Sequence, residues 1–116
     1  MNIQIVAEQN PAVRSFYVGA DIALSESDQL YVFEAPLPHL ASVIDNRKFH
    51  MMGSSGEALV HELCKIGNIR EVFIARDHVT VVRNEKSRAA WEGLEPQVIS
   101  AFQEVFPAQI ISSTTR

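Results

Sequence analysis

Only a few residues in this sequence could carry chemistry: one cysteine and four histidines. Cys64 and His61 lie three residues apart in a stretch with helical periodicity, so both could ligate a metal from one side of a helix. Zinc needs three or four ligands, and the other histidines have no fixed spacing to this pair. Cys64 also continues an apolar stripe, which is typical of a buried structural cysteine. The sequence therefore favours a buried Cys64, with a metal site at Cys64 and His61 as the alternative.

The remaining histidines do not form a recognisable catalytic set. Catalysis needs a nucleophile or a base together with a group that orients it, and His39, His50 and His78 cannot be assembled in this way. Asp77 precedes His78 in a short polar interruption between two apolar runs, where aspartate favours turns by bonding nearby backbone. The sequence therefore predicts no catalytic residue and no bound cofactor, and it indicates a protein that is not an enzyme.

A predicted helix carries both Cys64 and His61. Ser54 or Ser55 can cap its start, since serine accepts hydrogen bonds from free N–H groups in the first helical turn. Its apolar residues recur with the period of a helix: Leu59, Val60, Leu63, Cys64 and Ile66. Gly67 is predicted to end the helix in the left-handed conformation that glycine adopts without strain.

Two apolar runs, at 70–75 and 78–83, follow the helix and are rich in β-branched and aromatic residues. They are separated by two polar residues, a spacing that predicts a hairpin. Val79 and Val81 share one face of the second strand, and we expect that face to meet the helix. Helix, glycine and hairpin together form the unit on which the rest of the chain must pack.

Three further strands are predicted ahead of this unit, over 2–8, 13–18 and 30–35. The first two are close enough in sequence to pair as a hairpin. A short helix is predicted over 39–45. In the connection that follows, Phe49, Met51 and Met52 are expected to tuck under the edge of the sheet.

A second main helix is predicted near the end of the chain, with Pro96 at its first position, where the missing N–H costs nothing. Its apolar face carries Val98, Ile99, Phe102, Val105 and Phe106. Trp91 is expected to be a core residue in a short turn that ends at Gly93. Residues 112–116 are expected to form a frayed tail.

These elements predict an α+β fold: a two-layer sandwich of about five strands, antiparallel or mixed, with two main helices on one face. The 116 residues suit a single domain over 1–116. The formal charge of −4 argues against a nucleic-acid surface, and a single cysteine suits a reducing, cytoplasmic compartment. No apolar run approaches the ~20 residues of a membrane span.

Four pieces of sequence occur in a recognisable order. They are the turn and strand at 9–16, the helix end at 63–69, the hairpin at 72–81, and Trp91, Leu94 and Pro96 before the last helix. Together they resemble the N-terminal domain of the Nfu/NifU iron–sulfur scaffold proteins. The resemblance covers about two-thirds of the chain.

The resemblance implies a place in iron–sulfur cluster assembly or delivery. In multidomain members the cluster is held by a Cys-x-x-Cys pair in a separate C-terminal domain, and this sequence has no second cysteine. The implied function is a non-enzymatic adaptor that contacts an Fe–S scaffold or a recipient apoprotein, through the 46–53 loop or the open sheet face. The alternative is a small-molecule or metal-binding domain that uses Cys64 and nearby histidines.

Overall fold

The computed structural model describes residues 1–37, 51–84 and 91–116. Within these ranges the chain forms six strands and two helices. In chain order they are β1 (Asn2–Ala7), β2 (Val13–Tyr17), β3 (Tyr31–Glu34), α1 (Ser54–Cys64), β4 (Ile69–Ile74), β5 (His78–Arg83), α2 (Trp91–Val105) and β6 (Ser112–Thr115).

The strands form one mixed sheet in the order β3-β4-β5-β2-β1-β6. Neighbouring strands are antiparallel except β1 and β6, which are parallel. The α+β prediction is confirmed, as is the hairpin of β1 and β2, and the sheet has one strand more than the five expected. Strands β2 and β5 pair at the centre of the sheet although some sixty residues separate them in the chain.

The extra strand is β6, so the expectation of a frayed tail over 112–116 is wrong. The Ser112 N–H donates to the Met1 carbonyl at 2.9 Å, and the Arg116 N–H donates to the Ile5 carbonyl at the same distance. These bonds satisfy the otherwise open edge of β1, which is why a short polar segment is ordered there.

Both helices pack on one face of the sheet. The core includes Ile3, Ile5, Phe16, Leu59, Leu63, Val72, Val79, Val81, Val98 and Phe102, all at most 2 % exposed. In β5 the predicted face of Val79 and Val81 meets the helices, as expected. Alternate residues of each strand point to the opposite side of the sheet.

The ends of α1 differ from the prediction. Its N-cap is Gly53, at φ +88°, and no side chain caps the helix, so Ser54 and Ser55 do not have the predicted role. The positive φ favours glycine there, and a Cβ would also lie 2.8 Å from Cγ of the exposed Glu26 side chain, which would have to move.

The C-terminal end of α1 is likewise not a glycine cap. The helix ends at Cys64, and the next residue, Lys65, keeps right-handed dihedrals. The N–H groups of Lys65 and Ile66 donate to carbonyls three residues back, which tightens the last turn. Gly67 does not adopt positive φ, so its predicted left-handed role is wrong.

The described part of helix α2 runs over Trp91–Val105, through Gly93, with Pro96 inside it. The predicted turn ending at Gly93 and the predicted start at Pro96 are both wrong. Trp91 is 7 % exposed and its indole N–H donates to the Pro11 carbonyl at 2.8 Å. Trp91 is thus a core residue, as predicted, and its anchoring on the β1–β2 turn favours helix ahead of the proline.

Part of the sequence prediction lies outside the described residues, namely the short helix at 39–45 and Phe49. Of the methionines expected under the sheet edge, Met52 is fully buried, while Met51 is 58 % exposed. The prediction therefore holds for Met52 and is wrong for Met51.

Candidate functional site

The predicted metal candidates lie on the last two turns of α1. Cys64 is 5 % exposed and belongs to the core, and burial raises the pKa of its thiol from the ordinary value of 9.0 to about 12. The thiolate, which is the metal-binding form, is therefore scarce at neutral pH. His61 is only partly buried, one turn earlier on the same helix.

No group of three or more histidine, cysteine, aspartate or glutamate side chains could hold a metal ion in the described ranges 1–37, 51–84 and 91–116. Two of the four histidines, His39 and His50, lie outside those ranges. The possible site at Cys64 and His61 stays a prediction that the core position of Cys64 works against.

The remaining histidine, His78, begins β5 on the sheet face away from the helices. Its Nδ1 lies 2.7 Å from Asp77 Oδ1, and its ring stacks on Tyr17 with centroids 4.7 Å apart and planes at 27°. The carboxylate fixes the imidazole orientation, as such partners commonly do. The pair therefore forms a rigid aromatic surface near one end of the two central strands.

We call the sheet face away from α1 and α2 the outer face. Strand registers place its residues in rows across the sheet, alternating with core residues. Its members are Gln4, Val6, Glu8, Val13, Ser15, Tyr17, Val32, Glu34, Glu71, Phe73, His78, Thr80 and Val82. Most of these side chains keep part of their surface exposed, although Ser15 and Val82 are buried.

A short hydrogen-bonded chain crosses the centre of the outer face. Ser15, 2 % exposed, has its Oγ 2.7 Å from Glu8 Oε1 and 2.8 Å from Thr80 Oγ1. Because an ionised carboxylate only accepts, Ser15 donates to Glu8, and Thr80 then donates to Ser15. The two hydroxyls thus hold one oxygen of the Glu8 carboxylate above the sheet.

This chain and the His78–Tyr17 pair line a shallow depression of ≈ 650 Å³, which we call the Glu8 depression. Its lining residues are Glu8, Gln9, Asn10, Val13, Ser15, Tyr17, His78 and Thr80. The sequence analysis did not predict it. The alternation of residues in β2 and in β5 was visible in the sequence, but nothing local shows that those two strands are neighbours.

A second depression of ≈ 550 Å³ adjoins the first at the β1–β2 turn, beside α2, and shares Glu8, Gln9 and Val13 with it. Arg14 occupies part of it, since its guanidinium lies 5.3 Å from the centre of the Trp91 ring and is paired with Glu95. Arg14 thus already has an ion-pair partner from its own chain. We therefore consider the Glu8 depression the better candidate for an external ligand.

Comparison with known proteins identifies the family. A family model described as the N-terminal part of scaffold protein Nfu/NifU matches residues 3–109. The chain belongs to this family, which confirms the resemblance seen in the sequence. Membership implies a role in iron–sulfur cluster assembly.

A solved structure of another protein has a similar fold. A Staphylococcus aureus protein known from its crystal structure aligns at TM-score 0.59 and 17 % identity, covering 88 % of this chain and 99 % of that chain. A Staphylococcus epidermidis protein solved by NMR aligns at TM-score 0.48 and 14 % identity, covering 86 % and 92 %. Comparison with curated proteins gives no match.

No helix in the described parts of the chain is long and apolar enough to cross a membrane.

Proposed function

We propose that this protein is a non-enzymatic adaptor in iron–sulfur cluster assembly or delivery. It acts as a single domain over residues 1–116, by contact with an Fe–S scaffold or a recipient apoprotein. The proposal rests on the outer face, which has the composition of a contact surface. The family of this chain functions in cluster assembly, so we expect the partner to be a protein of that process. A buried, protonated Cys64 supports contact rather than cluster chemistry as the contribution of this chain.

The outer face has the composition of a protein contact surface. Val6, Val13, Val32 and Phe73 are partly exposed side chains along its middle. Both described helices lie on the other side of the sheet, so these apolar groups gain nothing from α1 or α2. A flat, partly apolar sheet surface can bury such groups against a partner.

Carboxylates stand at both ends of this surface. Glu34 lies directly opposite Glu71 across β3 and β4, and Glu8 stands near the other edge. Like charges directly opposite each other cost stability; Arg70, 3.3 Å from Glu71, offsets part of that repulsion, and a basic partner surface would offset more of it. We therefore infer that the partner presents basic residues around an apolar centre. A reducing, cytoplasmic location suits the free thiol of Cys64.

The proposal is tested by measuring binding to a cluster-loaded Fe–S scaffold domain with a Cys-x-x-Cys pair and to recipient apoproteins. Glu34→Lys reverses a charge on the outer face while relieving its repulsion with Glu71. We expect about tenfold weaker binding, and a weaker salt dependence. Glu104→Lys, an exposed site on α2, is the matched control and should bind like the unmodified protein.

Binding that both variants weaken equally would contradict a role for the outer face. Absence of binding to every scaffold and recipient tested would contradict the adaptor function. An anaerobic titration with ferrous iron and sulfide, with Cys64→Ser as control, provides a separate check. Charge-transfer absorption lost in that variant would show that the chain holds a cluster itself, which the adaptor proposal excludes.

A further inference from the structure

We propose that the Glu8 depression binds an arginine side chain of the protein partner. The partner comes from the proposed function, but recognition of a guanidinium group rests on the depression alone. Its ≈ 650 Å³ lies within the roughly 300–1,000 Å³ common for ligand sites. Four observations carry the inference: charge, preorganisation, an aromatic wall, and the position of the site in the sheet.

The negative charge of the depression favours a positively charged ligand. Glu8 lines it, Asp77 bonds the His78 ring at its edge, and none of the eight lining residues within the described parts of the chain is lysine or arginine. A concave surface lined by one sign of charge concentrates the opposite sign. The neighbouring depression shares Glu8 but is also lined by Arg14 and Arg83, and Arg14 there is already paired with Glu95.

The Glu8 carboxylate is held in place before any ligand arrives. Ser15 Oγ bonds Oε1 at 2.7 Å, and Thr80 bonds Ser15 in turn. A carboxylate accepts through both oxygens, so Oε2 and the second lone pair of Oε1 can still receive donors. A fixed carboxylate suits the fork of a guanidinium, which bonds both oxygens at once, better than the single point charge of an ammonium.

The opposite side of the depression is aromatic. Tyr17 and His78 stack on each other, and Asp77 holds the imidazole. A planar, weakly hydrated guanidinium packs against aromatic surfaces, and attraction to the ring adds to the ion pair with Glu8. A metal ion fits less well, because the described residues supply no cluster of three strong ligands.

The floor of the depression is built on the two central strands, and Glu8 directly follows the end of β1. Ser15 and Thr80 lie opposite each other on β2 and β5, and Tyr17 and His78 form the next pair on the same face. Groups carried by central strands keep their geometry better than groups on loops. Apolar side chains of the outer face surround the depression, so an arginine bound there would sit within the proposed contact surface.

The test is an NMR titration of isotope-labelled protein with N-acetyl-arginine amide. N-acetyl-citrulline amide, similar in shape but neutral, is the matched probe. We expect saturable shifts at Tyr17, His78 and Thr80 with the arginine probe, weakened by added salt, and none with the citrulline probe. No partner protein is needed, so the test does not depend on the proposed function.

Two variants sharpen the test. Glu8→Gln keeps an oxygen that can accept from Ser15 and removes only the charge, and it should weaken arginine binding about fivefold. Glu104→Gln removes an exposed carboxylate on α2, on the other side of the sheet, and should leave arginine binding unchanged. Preserved spectral dispersion in both variants shows that they are folded.

Equal shifts from the arginine and citrulline probes would overturn the proposal, as would shifts that never saturate. Unchanged binding by Glu8→Gln would also overturn it. If arginine binds as expected but no Fe–S protein binds the chain, the result supports the arginine site and contradicts the proposed adaptor function. If an Fe–S protein binds but arginine does not, the result supports the adaptor function and contradicts the arginine site.

Discussion

One face of the sheet packs against the helices and forms the core, whereas the outer face is the proposed contact surface. Phe16 and Tyr17 are neighbours on β2 but point to opposite sides. Phe16 is fully buried against the helices and its ring lies 6.5 Å from that of Trp91, whereas Tyr17 stacks on His78 at the rim of the Glu8 depression. One strand thus supplies a core anchor and a residue of the proposed binding site in consecutive positions.

This difference predicts which face of the sheet tolerates amino-acid substitutions without loss of stability. On the inner face the side chains are apolar and close-packed, so a lost methylene leaves a cavity. On the outer face, hydroxyls, carboxylates and one imidazole bond each other, and all of these groups except the buried Ser15 keep some exposure to water. Substitutions on the inner face should therefore act on folding, and those on the outer face on binding.

The largest expected effect comes from a matched pair of phenylalanines. Phe16→Ala removes a fully buried ring and should lower the free energy of unfolding by about 3–5 kcal/mol. Phe73→Ala, on the partly exposed outer face, should cost less than half as much. Urea denaturation of both variants measures the difference. Equal losses would show that the outer face is packed as tightly as the core.

The next largest changes in stability are expected for alanine substitutions at two helical glycines. The two substitutions should have effects of opposite sign. A Cβ on Gly56 of α1 would lie 2.5 Å from the Leu24 carbonyl oxygen, so Gly56→Ala should destabilise by about 1–3 kcal/mol despite the better helix propensity. A Cβ on Gly93 of α2 would meet nothing within 4 Å. Gly93→Ala should therefore stabilise the protein, by up to about 1 kcal/mol. Thermal unfolding would contradict this account if both changes had the same sign.

The buried thiol predicts a pH dependence. Because the pKa of Cys64 is about 12 in the folded chain and 9.0 ordinarily, the unfolded chain loses this proton first as the pH rises. The stability from this group is intact below pH 9 and falls above it, by about 1.4 kcal/mol at about pH 10. Unfolding measured against pH should show this loss, and Cys64→Ala should remove it. An identical alkaline slope in Cys64→Ala would assign the loss to other groups.

Removing an ion pair should cause the smallest loss of stability among these substitutions. Arg14→Ala removes a partly buried pair with Glu95 and the contact with Trp91, and it should cost about 1 kcal/mol. Lys65→Ala removes a pair with Glu62 whose lysine is 70 % exposed, and it should cost close to nothing. Chemical denaturation at low and high salt separates the two, and a larger loss for Lys65→Ala would contradict the expected ranking.

Much of the fold could be predicted from the sequence, because it follows from local periodicity. Strands β1 to β5 fall within about a residue of the predicted ranges, and Val79 and Val81 point to the helices as their alternation requires. The apolar stripe of α1 and the core position of Trp91 were also readable, since large apolar groups at helical spacing must be buried together. The family resemblance rested on the same local segments.

The tertiary structure decided what depends on distant partners. Strand β6 forms because the edge of β1, more than a hundred residues earlier, offers it hydrogen bonds. Gly53, at positive φ, lies at the N-cap of α1 in place of the predicted serines, and α2 already includes Trp91, whose indole N–H donates to the distant Pro11 carbonyl.

The Glu8 depression has the same origin, because it exists only where β2 and β5 lie side by side. Local sequence sets the period of each segment and the direction of its side chains. Which segments become neighbours is decided by long-range pairing and the burial it allows. The sequence therefore determined the elements and the family of this protein, and the tertiary structure alone determined its candidate site.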